Sequence, residues 1–329
     1  MSDAVSAPPA HAAEFAGMAL VSAAEVAATT SVRAAVDALE AALRGGLDPE
    51  RDAPRSRVTT AAGELLIMPS TLGAFAGVKL LSSTPGNPAR GRALIQGAYL
   101  LFEGEDQRPA AVVDGIALTN LRTPATSALA VRHLTPAAAT GAARLTVFGT
   151  GPQARGHVAA MAAVREIADV TLVGRTPRRV AALAAEVAAT GLPVRTAAPG
   201  DPDAVAHADI VCCCTSATAP LFDGALVKDD AVVVAMGSHF PDARETDDAL
   251  VSRAAVVVES RASTLREAGD IVVPVAAGVL AAGRLVTLAD VVTGRARLPD
   301  RGPRLFKGTG MPWQDLVVAA EIYRRTTER

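Results

Sequence analysis

The chain has 329 residues, half of them apolar, 3% aromatic and 20% charged, with a formal net charge of −2. That apolar content can fill a large core and, at this length, two domains rather than one. The near-balanced charge offers no field for nucleic acid or an anionic membrane, and the few aromatics leave little for base stacking.

No targeting signal is expected from the opening residues. Asp3 falls where a signal peptide wants positive charge, and Pro8, Pro9 and Glu14 interrupt any apolar stretch. No run of about 18 apolar residues exists, so no membrane span is expected and the cytoplasm is the expected compartment. Residues 1 to about 20 read as a loose lead-in. Ser22 followed by Glu25 reads as a capping box. A helical pattern then runs to Leu43, with a break expected at Thr29–Ser31 and a stop at Gly45–Gly46.

The pattern changes next. "RVTTAAGELLIMPS" reads as strand, turn, strand, and "FAGVKLLSS", "ALIQGAYLLFE" and "PAAVVDGIALTNLR" as three more strands. Short polar connections between them predict an antiparallel sheet. Thr123-Pro124 is expected to open a helix through Leu134, with proline in the first turn where its missing N–H costs nothing.

From Arg144 strands and helices alternate. "LTVFG" reads as a strand and 153–167 as a helix; "VTLVGR" is a strand and 177–190 a helix. "ADIVCCCT", "AVVVAMGS" and "AAVVVES" are further strands. Continuous β-branched runs separated by helices predict a parallel sheet buried on both faces. Trp313 to Arg325 reads as an amphipathic helix. The expected fold is α/β: a Rossmann-type doubly wound parallel sheet (139–305) inserted in an antiparallel α+β unit (1–138), on which 306–329 pack back. The adjacent Cys212, Cys213 and Cys214 point alternately to opposite faces and read as core residues, so no metal site is expected from them.

"LTVFGTGPQARGH" meets the terms of a dinucleotide fingerprint, Gly149-x-Gly151-x-x-Ala154, between a strand and a helix. Gly149 permits the tight turn, Gly151 lets backbone approach a pyrophosphate, and Ala154 allows close helix–strand packing. Phosphates would meet the free N–H groups at the helix start, so Thr150 and Gln153 join the expected set. The second strand ends "VGRTPRR". It lacks the acidic residue that takes a ribose 2′-hydroxyl and instead presents Arg175, Thr176, Arg178 and Arg179. Guanidinium suits a 2′-phosphate, so NADP(H) is favoured over NAD(H). Arg175, at the strand end, has the stronger case; Arg178 and Arg179 also fit a solvated helix face. Thr215, Ser216 and Gly237, after later strands, and Thr123 complete the expected cofactor residues.

Three cations in the first part stand out. Lys79 interrupts an apolar strand, and is either buried with a partner or facing water at a sheet edge. Arg122 fits a ligand contact or a structural salt bridge. Arg55 lies in a charged loop where a surface arginine is the ordinary reading.

"GVKLLSSTPGN", "DGIALTNLRTPATSALAVRHL", "LTVFGTGPQARGH" and the closing "LFKGTGMPWQDLVVAAEIY" resemble the ornithine cyclodeaminase/μ-crystallin family, in order and over nearly the whole chain. The resemblance implies a substrate and dimerisation domain around a Rossmann domain, and a homodimer formed through the antiparallel sheet. It implies that Arg55 and Arg122 bind the amino-acid carboxylate, with Arg57 leaving the first alignment open, and that Lys79 stands at the reacting centre. The cyclodeaminases of the family use an aspartate in a "GxD" setting for the side-chain amine. Here "GSH" stands instead, with His239 in that place. An imidazole can move protons near neutral pH but lacks the charge that holds an ammonium; His239 is therefore either catalytic or an inert loop residue. The resulting expectation is an NADP(H)-dependent reductase of cyclic imino acids. Alternatives are ornithine cyclodeaminase, an alanine dehydrogenase-like oxidoreductase, and a non-catalytic crystallin-type NADP(H) binder.

Overall fold

A computed structural model describes residues 17–328; the expected lead-in before Gly17 lies outside the described residues. Strand β1 (Ala19–Val21) is followed by α1 (Ala23–Thr29) and α2 (Val32–Arg44). Five strands come next: β2 (Ser56–Thr60), β3 (Gly63–Leu72), β4 (Phe75–Ser83), β5 (Ile95–Glu103) and β6 (Arg108–Asp114). Helix α3 (Gly115–Leu134) leads to β7 (Ala143–Phe148), α4 (Pro152–Val164), β8 (Ile167–Val173), α5 (Pro177–Ala188) and β9 (Val194–Ala197). Then come α6 (Asp203–Ala206), β10 (Ile210–Cys213), β11 (Val232–Ala235), α7 (Asp248–Arg253) and β12 (Ala255–Val258). The last elements are α8 (Arg261–Glu267), α9 (Gly269–Ala276), β13 (Val286–Thr287), α10 (Leu288–Val292), β14 (Arg304–Lys307) and α11 (Pro312–Thr327).

The chain divides into two units. Among the described residues, one takes 17–31, Asp52–Thr119 and 312–328; the other takes Val32–Arg51 and Asn120–Met311. Residues 306 and 307 lie on β14, inside the parallel sheet, so the second unit runs past the sequence-expected end at 305.

In the first unit six strands form one sheet in the order β1-β6-β5-β4-β3-β2. All neighbours are antiparallel except β1, which pairs parallel with β6. The sheet is thus mixed rather than purely antiparallel, and β1 lies partly in the stretch read as lead-in. The capping box forms: Ser22 Oγ accepts the Glu25 N–H while the Glu25 carboxylate accepts the Ser22 N–H. Strand alternation buries Leu66 and Met68 on β3, Lys79 and Leu81 on β4, and Tyr99 and Leu101 on β5. Helix α11 packs across β3, β4 and β5.

Helix α3 begins eight residues before the expected Thr123. The Asp114 side chain accepts the N–H groups of Ile116 and Ala117 at 2.9 and 2.8 Å, so the strand stops there and the helix starts. Pro124 therefore sits inside the helix. It has no N–H for the Asn120 carbonyl, and its ring fills the notch at Gly156 of α4, where a Cβ would come within 2.7 Å of Pro124 Cγ.

In the second unit eight parallel strands run in the order β13-β12-β14-β11-β10-β7-β8-β9. The strand runs Ile210–Cys213 and Val232–Ala235 are buried throughout, as a sheet covered on both faces requires. Strand β13 has only two residues, and β9 and β14 lack the continuous apolar runs that mark β10, β11 and β12, so the sequence reading passed over all three. The β7/β10 pair is where the chain reverses its direction of winding, the switch point at which open parallel sheets bind ligands.

Candidate active site

At that switch point the C-terminal ends of β7, β8 and β10 surround a cavity of about 330 Å³. Its wall includes Gly149, Thr150 and Gly151 after β7, Arg175, Thr176 and Arg179 after β8, and Thr215, Ser216 and Ala217 after β10. Gly149 has φ +116°, and a Cβ there would collide with the Cys214 carbonyl, so the tight turn requires glycine. Gly151 caps α4, Pro152 follows at the first helical position, and nothing lies within 4 Å of where a Gly151 Cβ would be. The helix start is thus open to a ligand, and α4 presents free N–H groups to it. Ala154 is fully buried, in the helix that packs on β7.

Arg175, Thr176 and Arg179 are exposed and share the cavity wall, whereas Arg178 does not line it. No acidic side chain among the described residues pairs with Arg175 or Arg179. Two cations with spare donors at the end of the second strand fit a bound phosphate.

Besides the buried Ala154, three expected cofactor residues stand off this wall. Gln153 donates its amide to Asn120 Oδ1 at 3.0 Å, and its buried Oε1 has no hydrogen-bond partner among the described residues. Thr123 is buried within α3. Gly237 donates its N–H to Glu245 Oε2 at 2.7 Å. His157, which closes the fingerprint stretch, is locked in the core: Nδ1 donates to the Gln153 carbonyl and Nε2 accepts from Ser127 Oγ, both at 2.8 Å. Burial lowers its pKa to about 4, so the ring is neutral. Cys212 and Cys213 are buried core residues, their thiols pushed up by burial. Among the described residues no group of three or more His, Cys, Asp or Glu is disposed to hold a metal ion.

Arg122 is 5% exposed and its guanidinium lies over Gly310, where a Cβ would approach Nη1 to 2.7 Å. The Thr309–Gly310 turn is fixed by the buried Glu259 carboxylate, which accepts both backbone N–H groups at 2.9 Å. His239 is half-buried with its ring against Phe240, 4.5 Å between centroids.

In the first unit Lys79 is buried and paired, which excludes the sheet-edge reading. Its Nζ lies 2.7 Å from Asp315 Oδ2, with both side chains at most 1% exposed, and 3.4 Å from Thr119 Oγ1. Tyr99 lies beside Lys79 in the register, also fully buried, and its hydroxyl has no hydrogen-bond partner among the described residues. Asp52 accepts the Trp313 N–H at 2.7 Å, an acidic cap on the first turn of α11. Burial pushes the Asp52 carboxyl up to about 6, Asp315 adds to the rise, and the bonds from Ser70 and Trp313 oppose it. Arg55 is half-buried just before β2, while the exposed Arg57 reaches Glu64 at 2.7 Å. Asp52, Tyr99 and Asp315 escaped the sequence reading. Asp315, a lone acid in the apolar "WQDLVV", had the same signal as Lys79 with the opposite sign.

These features define a Rossmann-type α/β protein carrying a second, mixed-sheet unit. The chain belongs to the ornithine cyclodeaminase/mu-crystallin family, whose model matches residues 17–329. It is 34% identical over 271 residues to a Delta(1)-pyrroline-2-carboxylate reductase of Bacillus cereus, covering 80% of this chain and 82% of that one. The Thermococcus litoralis Delta(1)-pyrroline-2-carboxylate reductase, solved with NADH and L-proline, superposes with a TM-score of 0.86 at 27% identity, covering 94% of this chain and 98% of that one. An archaeal alanine dehydrogenase dimer with bound NAD gives the same TM-score at 25% identity, covering 94% and 96%.

Proposed function

We propose that the protein is an NAD(P)H-dependent reductase of cyclic imino acids, of the Δ1-pyrroline-2-carboxylate or Δ1-piperideine-2-carboxylate type. The observation that carries this reading is the match to a pyrroline-2-carboxylate reductase along four-fifths of both chains, and the cavity at the β7/β10 switch point agrees with it. The coenzyme, when bound, supplies the hydride to the C=N carbon. Gly149, Gly151 and the start of α4 would hold its pyrophosphate. Arg175 and Arg179, exposed on the cavity wall, favour the 2′-phosphate of NADPH.

The residues proposed for the substrate follow the family resemblance. Arg55 and Arg122 are assigned to the carboxylate, where a planar bidentate contact fixes distance and angle together. Reduction adds one hydride to carbon and one proton to nitrogen. Lys79 is assigned as the group that supplies or steers that proton, since a buried ammonium is a proton donor held in place by its partner. The half-buried His239 is the second candidate.

We further propose a homodimer formed through the mixed sheet. The face opposite Lys79 carries Ile67, Leu80 and Ala98 in one register row and Pro69, Val78 and Leu100 in the next. Leu80 is 41% exposed there, and Val58 on the neighbouring strand 49%. An apolar row left open to water marks an association surface.

The test is NADPH oxidation against Δ1-pyrroline-2-carboxylate, Δ1-piperideine-2-carboxylate and pyruvate with ammonia, alongside ornithine with NAD assayed for proline and ammonia. Turnover confined to the cyclic imines supports the reading. Robust proline formation from ornithine with no imine reduction overturns it.

A further inference from the structure

The wall of the cavity is shaped by a carboxylate that does not line it. Glu245 lies on the loop between β11 and α7 and is fully buried. Its Oε1 accepts the Thr215 N–H at 2.8 Å and the Thr215 hydroxyl at 2.7 Å. Its Oε2 accepts the Gly237 N–H at 2.7 Å. The Thr215 hydroxyl, having donated to Glu245, accepts the Ala217 N–H at 3.1 Å. All three donors aim at one acceptor; burial raises the pKa of the Glu245 carboxyl, and Lys307 and the Thr215 bonds oppose that rise. Gly237 has no room for a side chain, since a Cβ there would lie 2.6 Å from Glu245 Oε1.

Behind Glu245 a second buried pair holds the loop still. Asp270 Oδ1 accepts the N–H groups of Glu245 and Thr246 and the Thr246 hydroxyl, each at 2.8 Å. Lys307, at the end of β14, lies 2.9 Å from Asp270 and donates to the Ser238 carbonyl at 2.7 Å. Lys307 and Asp270 are both 0% exposed. One ionic network therefore ties together the segments that follow β10 and β11 and the end of β14. Within it, Thr215, Ser216 and Ala217 face the cavity.

We propose that Glu245 is a positioning residue for the coenzyme: through the Thr215 hydroxyl and the Gly237 N–H it sets the shape of the turn that the dinucleotide meets. This rests on the reading of the cavity as the dinucleotide site. A carboxylate in this place fixes the turn before the ligand arrives, so binding does not have to order it.

The experiment compares the wild type with Thr215→Val, Thr215→Ser, Glu245→Gln and the Glu245→Gln/Thr215→Val double variant. NADPH affinity is read from coenzyme fluorescence, and KM and kcat from imine reduction. Thr215→Val should raise the NADPH Kd and KM about tenfold, with kcat at saturating coenzyme within about twofold, and Thr215→Ser should restore both. The double variant should bind no worse than Glu245→Gln alone, because the two residues act through one link. Should Glu245→Gln fail to fold, the Val and Ser pair still decides. Losses that add in the double variant, or a Thr215→Val enzyme that binds NADPH like the wild type, overturn the proposal. A wild-type protein that binds neither NADPH nor NADH overturns the cavity reading first, and the proposal with it.

Discussion

Lys79 and Asp315 form a buried ion pair, 2.7 Å between Nζ and Oδ2, that joins β4 to α11 inside the first unit. Removing one partner leaves a charge in a dry place, at a cost of about 3–5 kcal/mol, whereas replacing both by apolar side chains is about neutral. Lys79→Met and Asp315→Leu should each lower unfolding free energy by about that amount, and the double variant should recover most of it. Imine reduction should stay down by about 100-fold or more in the double variant, the loss expected of a removed proton donor. Urea titrations with parallel rate measurements check this. A stable, fully active double variant would remove Lys79 from the chemistry.

Arg175→Ala should weaken NADPH about tenfold or more by removing a charge-assisted contact to the 2′-phosphate. NADH, which lacks that group, should bind within about twofold of its wild-type affinity. Equal losses for the two coenzymes would assign Arg175 a structural role instead.

The buried His157 should make the second unit acid-sensitive. Its folded value of about 4 lies below the ordinary 6.5, with burial as the cause and the Gln153 carbonyl opposing it. Between those values the unfolded chain binds a proton that the folded one refuses. The stability is therefore present above pH 6.5 and is lost as pH falls toward 4, by about 3 kcal/mol in all. His157→Gln should flatten that part of the stability-against-pH curve, measured by denaturant unfolding. Parallel curves for the two proteins would contradict it.

Leu80→Asp should shift the protein to monomer in sedimentation velocity with its circular dichroism unchanged. A charge in the middle of an apolar row costs little in water and much in an interface. An unshifted sedimentation coefficient would place the contact elsewhere.

The parallel sheet and its glycine turn were legible because each rests on local pattern. Continuous β-branched strands, a Gly-x-Gly turn and the Ser22–Glu25 cap need no distant partner to be read. What the sequence concealed depends on partners far away in the chain. Strand β1 is three residues long and exists only because β6 lies beside it. Proline at 124 argued for a helix start, but the Asp114 side chain had already opened the helix. Lys79 could be singled out as odd, yet its burial was undecidable until Asp315 arrived from the closing helix. Glu245 sits in a loop of ordinary charged composition, and only the folded backbone aims three donors at it.

The packing of α11 on β3, β4 and β5 has a bearing on the order of assembly. The strands are synthesised early and the helix that covers them is synthesised last in the described chain, with the whole parallel unit made in between. Until then the nascent sheet lacks the helix that buries Leu66, Met68, Lys79 and Tyr99. Closing such a long loop is entropically slow, and the waiting surface is the kind that chaperones bind. Docking of the final helix should therefore be the late kinetic phase of refolding, and substitutions at Asp315 should slow it more than substitutions around the glycine turn.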